Sequence, residues 1–142
     1  MRDIKFRGKC IDNNTGSWVI GSLVTDSMSK ERMAIIDYAD LSESDKDGGA
    51  IVWNDVVPES VGEYTGMKTN DDIQVFEGDI IKYKVGSMNM NGGEPTVTEH
   101  IAPVVYKEYG FYCKYTPLYG CLIEGELIGN IYEHPELLNT LK

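Results

Sequence analysis

The sequence lacks the residue patterns from which most catalytic sites are recognised. It contains only two histidines, His100 and His134, and neither lies in a metal-ligand spacing with Cys, Asp or Glu. No Gly-x-Ser-x-Gly nucleophile elbow, Gly-x-Gly-x-x-Gly dinucleotide fingerprint or phosphate-binding loop occurs. We interpret His134 as a residue that precedes a short helix and His100 as a solvent-facing strand residue. The pattern therefore predicts no catalytic residue, no cofactor and no metal site.

Cysteine is also scarce, with only Cys10, Cys113 and Cys121 in the chain. An odd number without a Cys-x-x-Cys pair argues against a disulfide framework and is typical of proteins in a reducing cytosol. We expect the three side chains to behave as small buried hydrophobic groups. No apolar run of transmembrane length and no signal peptide is apparent, so we expect a cytoplasmic protein without a membrane partner.

Positive charge is outnumbered, since 13 Lys and Arg stand against 23 Asp and Glu and give a net charge of −10. Such a balance argues against a surface that binds nucleic-acid phosphates. A local exception is the N-terminal run of Arg2, Lys5, Arg7 and Lys9. We interpret this run as the solvated face of a strand rather than a functional patch.

Four acidic residues near the middle of the chain could be read as a metal or acid–base cluster. They are Asp71, Asp72, Glu77 and Asp79. The first two lack the alternating spacing and the distant Glu of a calcium-binding loop. We therefore interpret Asp71 and Asp72 as turn residues, with Asn70, and the other two as a corner where a strand starts.

What the sequence contains is a succession of short strand patterns, which predicts a mainly β fold. The organising stretch is Tyr64–Tyr83, which reads as strand, turn, strand, sharp turn, strand. Gly66 and Gly78 stand where the backbone is expected to need a positive φ, and such corners suit a small barrel. Further strands are predicted at 4–11 and 17–25 (a hairpin with its turn at 12–16), 33–38, 51–57, 97–107 (interrupted at Pro103), 111–116 and 121–131, with loops at 41–49 and 86–95.

Five tyrosines recur every three or four residues between positions 106 and 119, a spacing that resembles a helix. We reject a helix because Gly110 and Pro117 would break it, and predict a hairpin with Phe111, Cys113 and Tyr115 on one face. Tyrosines on a sheet can stack nucleic-acid bases, but such sites pair them with a basic groove. The tyrosines are Tyr106, Tyr109, Tyr112, Tyr115 and Tyr119, and the only cations among them are Lys107 and Lys114.

The C-terminus is predicted to form one short helical turn. Pro135 suits the first turn of a helix. Leu137, Leu138 and Leu141 would then gather on one side and pack back onto the fold, since so short a helix is not stable alone. We also expect Ile128–Ile131 to form a core strand.

Three segments, in order, resemble the YopX family of bacteriophage and prophage proteins. They are Arg2-Asp-Ile-Lys-Phe-Arg-Gly-Lys9, the stretch from Val57 to Gly66 continuing through Phe76-Glu-Gly-Asp-Ile-Ile81, and Leu127-Ile-Gly-Asn-Ile-Tyr-Glu-His-Pro-Glu136. The chain departs from the family pattern at 26–49 and at 86–95, where specificity could differ.

The resemblance implies an SH3-like barrel in the C-terminal part, preceded by an N-terminal β-hairpin region, in a cytoplasmic protein of a bacterial host. We divide the chain into residues 1–62 and 63–142, within one compact unit. The family has no established activity, so the resemblance carries over no functional residue. The residues shared with the family are turn types that we expect to be structural, namely Gly66, Gly78, Asp79, Gly129 and Asn130.

From these observations we predict a non-enzymatic module that binds a protein of the host or the phage, with a homo-oligomer as one form of that contact. The alternative is a nucleic-acid-associated protein, either a local binder of single strands or an acidic decoy that mimics DNA charge. A third, weaker hypothesis is an enzyme that uses the acidic turn residues.

Overall fold

A computed structural model describes residues 2–11, 16–29, 31–37 and 53–139 of the chain. The predicted loop at 41–49 and most of the predicted turn at 12–16 lie outside these residues. The chain divides into two compact units, Met1–Gly66 and Met67–Lys142. Of the described residues, 54% lie in strands and 11% in helices, which confirms the mainly β prediction.

The first unit is an antiparallel sheet that follows the chain as a meander and then returns. The elements are β1 (Phe6–Lys9), β2 (Trp18–Thr25), β3 (Met33–Asp37), β4 (Trp53–Val56), a 3-10 helix (Pro58–Ser60) and β5 (Gly62–Lys68), whose last two residues belong to the second unit. The strands lie in the order β4-β3-β2-β1-β5, so the fifth strand lies beside the first. The same sheet ends with a sixth strand, β6 (Gln74–Phe76), beside β5.

Alternating side chains build the core of this unit, as the period-two pattern of the sequence predicts. Val19, Ile35 and Val56 are buried at its centre, and Phe6 and Cys10 pack against them. Gly8 lies on the same face of β1. A Cβ atom at Gly8 would approach the Cβ atom of Val56 to 2.9 Å, so only glycine fits between these strands.

The sheet of the first unit curls until β4 meets the residues that follow β1. Cys10 forms an antiparallel bridge with Val56. The Ile11 amide donates to the Asp55 carbonyl at 2.9 Å, and the Val57 amide donates to the Lys9 carbonyl at 2.9 Å. One side of β1 is therefore lined first by β5 and then by the end of β4.

The second unit is built around a long hairpin. The elements are β6 (Gln74–Phe76), β7 (Asp79–Ser87), β8 (Thr96–Lys107), β9 (Gly110–Cys113), β10 (Thr116–Pro117), α1 (Leu118–Leu122), β11 (Glu126–Asn130) and a second 3-10 helix (Pro135–Asn139). Five of these strands form a sheet in the order β10-β9-β8-β7-β11. The ten residues buried at the core are Val75, Ile81, Tyr83, Ala102, Val104, Phe111, Cys113, Leu118, Cys121 and Leu122.

No closed barrel is formed by the described residues, so the barrel predicted for the C-terminal part is not found in that form. The two positive-φ glycines are confirmed, with φ +83° at Gly66 and +93° at Gly78. Gly78 lies in the sharp turn between β6 and β7, as predicted. Gly66 lies inside β5 rather than at a turn.

The predicted interruption at Pro103 is wrong, because β8 runs through it without a break. Pro103 forms the last pair of the ladder with β7, opposite Ile80. The ladder with β9 begins one residue later, at Val104. The missing N–H of proline therefore falls where the strand changes partners, and it breaks neither ladder.

The region after β9 also differs from the prediction. Lys114 has φ +56° and turns the chain, so Tyr115 does not share the face of Phe111 and Cys113. The predicted strand at 121–131 begins only at Glu126, because its first residues belong to α1. Burial of one side of that helix, at positions 118, 121 and 122, overrides the strand character of the sequence.

The C-terminal helical turn is present as the 3-10 helix Pro135–Asn139. Leu137 lies against β11, since a Cβ atom at Gly129 would be 3.0 Å from its Cδ1 atom. Leu141 lies outside the described residues. The strand β11 is half-buried rather than a core strand, because this helix covers it only in part. Within the described segments, no helix has the length and apolar character needed to cross a membrane.

Candidate functional site

The two histidines hold local structure in the second unit. His100 lies opposite Tyr83 in the β7–β8 ladder and stacks on its ring at 5.5 Å. It is half-buried rather than solvent-facing. His134 accepts the amide hydrogen of Asn130 on its Nδ1 atom at 3.4 Å, and its own amide donates to the Asn130 carbonyl at 2.8 Å. His100 therefore packs within the β7–β8 ladder, and His134 holds the end of β11.

The acidic residues occupy separate turns. Asp79 is 1% exposed and accepts the Phe76 amide hydrogen at 2.8 Å, which fastens the turn around Gly78. Asp71 and Asp72 are exposed, and Asp72 pairs with Lys68 at 3.1 Å. No group of side chains suited to a metal ion occurs within the ranges that the structure describes.

The turn between β5 and β6 is closed by a residue that the sequence analysis did not single out. Thr69 donates its amide to the Ile73 carbonyl at 2.8 Å, and its hydroxyl accepts the Ile73 amide hydrogen at 3.2 Å. Asn70, which we expected to bond its own turn, donates instead to the Ile123 carbonyl at 2.8 Å.

Cysteines 113 and 121 are buried next to each other in the second core, while Cys10 is half-buried in the first unit. A hydrogen bond with Cys121, together with burial, raises the pKa of the Cys113 thiol above its ordinary value. The Tyr83 hydroxyl donates to the Cys113 carbonyl at 3.0 Å. Burial raises the pKa of Tyr83, so this group stays neutral at physiological pH. That all three thiols remain reduced in the cytosol stays a prediction.

The N-terminal cations are engaged within the first unit. Arg2 pairs with Glu63 at 2.5 Å, and the ammonium group of Lys5 lies 4.5 Å from the centre of the Tyr64 ring. The guanidinium of Arg7 lies 5.1 Å from the Trp18 ring. The run is therefore not the solvated strand face that was predicted, because Lys5, Arg7 and Lys9 are half-buried and Arg2 and Lys5 precede β1.

Two tight turns of the second unit carry exposed tyrosines at their tips. The register places Glu108 and Tyr109 alone between β8 and β9. It places Lys114 and Tyr115 alone between β9 and β10. In both turns the first residue has a positive φ and the second is an almost fully exposed tyrosine.

The backbone of these turns is strained. Glu108 has φ +47° and Lys114 has φ +56°, a region that two-residue turns normally fill with Gly, Asn or Asp. A side chain in this conformation costs about 1 kcal/mol or more, and such strain is often found at functional sites. Tyr109 is 92% exposed and Tyr115 is 91% exposed, so neither ring repays the cost by burial in this chain.

A shallow groove of about 240 Å³ runs beside these turns. The ammonium group of Lys107 lies 6.0 Å from the centre of the Tyr115 ring. Two cations and one carboxylate line the groove, which makes it locally basic on an acidic chain. Its lining residues are Lys107, Glu108, Tyr112, Lys114 and Tyr115. We refer to these five residues with Tyr109 as the tyrosine surface.

The sequence patterns predict the hairpin and its tyrosines but not this surface, because they extend the return strand to position 116 and place Tyr115 beside Phe111 and Cys113. The missed signal is the repeat of a charged residue followed by Tyr, at 108–109 and at 114–115. Lysine is not among the residues that favour a positive φ, so no turn is predicted at Lys114.

Comparison with known proteins identifies a matching family model and a protein of similar fold. The family model described as YopX protein matches residues 5–139. The crystal structure of protein EF1440 from Enterococcus faecalis has a similar fold, with a TM-score of 0.50 and 20% sequence identity over 97% of this chain and 99% of that chain. No curated protein matches the sequence. Since the family model spans nearly the whole sequence, the chain belongs to the YopX family.

Proposed function

We propose that this protein is a non-enzymatic interaction module of phage or prophage origin, which acts in the bacterial cytoplasm by binding another protein through the tyrosine surface. The observation that carries the proposal is the pair of strained turns, each of which presents an exposed tyrosine. Tyrosine is enriched at protein interfaces because it supplies a large contact area with few rotatable bonds.

The charge of the surface supports one kind of partner. Lys107 and Lys114 flank the tyrosines, whereas the chain as a whole has a net charge of −10. A partner that presents carboxylates beside an apolar patch would match this local basic character. General attraction to acidic proteins would be weak, because the remaining surface repels them.

The SH3-like character inferred from the family belongs to the same proposal. In the second unit the strands form a meander, a helical turn follows the fourth of them, and the last strand returns beside the first. This order supports the proposal of an SH3-like sheet. Domains of this kind bind peptides through aromatic grooves between their loops.

The test is affinity capture from lysate of the infected host, with the intact protein compared with the double variant Tyr109→Ser, Tyr115→Ser. A matched control is Met88→Ser, Met90→Ser, which removes two apolar side chains that are 89% and 98% exposed in a different loop. We expect a partner that binds the intact protein and the control but not the tyrosine variant. A partner retained equally by all three proteins would contradict the proposal.

A second candidate function is binding of single-stranded nucleic acid, and the placement of Lys107 over Tyr115 favours it. Bases stack on exposed aromatic rings while lysines contact phosphates. Fluorescence anisotropy with a labelled oligonucleotide at low and high salt tests this idea. Binding that weakens with salt and is lost in the tyrosine variant would support it over the protein partner.

The acidic-decoy form of this alternative makes a different prediction. A chain that mimics DNA would bind a DNA-binding protein of the host, and added duplex DNA would compete for that protein. Competition by DNA, with no effect of the tyrosine variant, would favour the decoy over both other functions.

A further inference from the structure

The first unit carries a groove of about 580 Å³ on the outer face of its sheet. Its floor is a row of three residues from neighbouring strands, in which Ala34 pairs with Val24 on one side and with Asp55 on the other. Ala34 is only 6% exposed and has a small side chain. Larger side chains around it leave a hollow above the methyl group.

One wall of the groove is an aromatic platform. Trp53 lies two residues before Asp55 on β4, so both side chains point to the same face of the sheet. Its side chain is 58% exposed, an unusual state for a tryptophan. An exposed indole ring attracts cations through the negative potential of its face.

The groove also carries charged side chains. The Arg32 guanidinium lies 3.5 Å from an Asp55 carboxylate oxygen, and the side chains are 71% and 34% exposed. So long and exposed a contact is weak and easily exchanged. Asp26, which accepts the Met28 amide hydrogen at 2.8 Å, adds a second carboxylate to the lining.

We propose that this groove binds an arginine side chain presented by a partner protein, stacked on Trp53 and paired with Asp55. In the free chain, Arg32 occupies part of this position as an internal substitute and is displaced when the ligand arginine enters. The lining favours a cation over an anion because it holds two carboxylates and one guanidinium. The net charge of −10 would steer a basic partner toward the chain.

This inference does not rest on the tyrosine surface. The groove lies in the first unit, whereas the tyrosine surface lies in the second. It also selects the opposite charge in its ligand. The loss of one function in a variant would therefore leave the other intact.

The probe is a short capped peptide with one arginine among glycine and serine residues, titrated into the full-length protein. Chemical shifts of the indole N–H of Trp53 report its binding. A matched peptide carries citrulline, which keeps the shape of arginine without its charge. We expect saturable shifts at Trp53 with the arginine peptide only. Equal binding of the citrulline peptide, or no shift at millimolar arginine peptide, would overturn the proposal.

Three variants are expected to change the affinity for the arginine peptide in opposite directions. Asp55→Asn and Trp53→Leu should each weaken the arginine peptide about fivefold, as expected for loss of a carboxylate partner or a cation–π platform. For Trp53→Leu the readout is the amide signal of Ala34. Arg32→Gln should strengthen binding about threefold, because it removes the internal competitor. If Arg32 only formed a structural ion pair, its loss would not improve affinity. Weaker binding in Arg32→Gln would therefore overturn the displacement step.

The pair formed by Lys68 and Asp72, also exposed but in the second unit, provides the control. Lys68→Gln and Asp72→Asn should leave the affinity unchanged. If either control shifts binding as much as Asp55→Asn does, the effect is one of net charge and the groove is not the site. Thermal unfolding of each variant verifies that the fold persists. Trp53→Met, which also lacks an aromatic ring, replaces Trp53→Leu if the latter is unstable.

Discussion

The two units of the chain share one strand order but close their sheets differently. In each unit, four strands follow one another as an antiparallel meander, a short helix comes next, and a fifth strand returns beside the first. In the first unit the fourth strand also reaches the residues after β1, through the bridge between Cys10 and Val56. In the second unit the fourth strand has only two residues, Thr116 and Pro117.

This difference shows that one strand order can give either a curled sheet or a more open one. The curled first sheet brings its ends together and buries a core of three central residues. In the second sheet the fourth strand is short, and the turns on either side of β9 project their tyrosines.

A trace of the shared order is visible in the sequence. Gly62-Glu-Tyr-Thr-Gly66 begins the last strand of the first unit, and Gly125-Glu-Leu-Ile-Gly129 starts one residue before that of the second. The glycines meet different constraints. Gly66 has φ +83°, whereas Gly129 allows His134 and Leu137 to approach. So short a motif can be recognised as a repeat only once the strand order of both units is known.

The largest expected effect comes from the two cores. Ile35→Ala in the first unit and Ile81→Ala in the second should each lower the free energy of unfolding by about 2–5 kcal/mol, because both side chains are fully buried. Urea unfolding, monitored by tryptophan fluorescence and circular dichroism, measures the loss. A change below about 1 kcal/mol in either variant would show that its unit does not depend on that core.

The next effect tests closure of the first sheet. Gly8→Val should cost about 1–3 kcal/mol, because the new side chain would collide with Val56 where the sheet curls. Gly86→Val in β7 is the control, since a Cβ atom there meets no atom within 4 Å. Thermal unfolding compares the two. Equal melting temperatures would mean that the close approach at Gly8 does not matter for stability.

A smaller effect is expected at the corner that opens the second sheet. Gly78→Val should destabilise the protein by about 1 kcal/mol or more, because φ is +93°. A Cβ atom at this position would make only an ordinary contact with Ile131, so a steric clash adds little. The backbone strain is then the main cause. Chemical denaturation provides the measurement, and an unchanged midpoint would contradict this explanation.

The smallest effect concerns the strained turns and has the opposite sign. Glu108→Gly and Lys114→Gly should each stabilise the protein by about 0.5 kcal/mol, because relief of the positive-φ strain outweighs the entropy that glycine loses. Differential scanning calorimetry can resolve the shift in melting temperature. Destabilisation by both substitutions would indicate that these side chains make favourable contacts that offset the strain.

The sequence patterns predicted most strands because apolar residues alternate along a strand that buries one face. The hairpin of β1 and β2 and the positive φ of Gly78 follow from local chemistry and were found as predicted. Pro103 was misjudged because its tolerance depends on where β8 changes partners, which is a tertiary fact. Helix α1 was missed because Gly120 weakens the helix pattern, whereas burial of positions 118, 121 and 122 decides the local structure.

The candidate sites were less visible in the sequence for a related reason. The arginine groove depends on Ala34 lying between Val24 and Asp55, and these residues are brought together only by strand register. The tyrosine surface depends on Lys114 adopting a positive φ. Neither condition can be deduced from residue types alone, whereas the YopX resemblance was recognisable from ordered motifs.

The arrangement of the three cysteines makes it possible to measure how often the second unit opens. Cys113 and Cys121 are fully enclosed, whereas Cys10 in the first unit is partly accessible. A thiol reagent should therefore label Cys10 rapidly and the other two only at the rate at which their core becomes exposed. In a Cys10→Ser background, the slow labelling rate would report the opening equilibrium of the second unit in native buffer, without denaturant or an added probe.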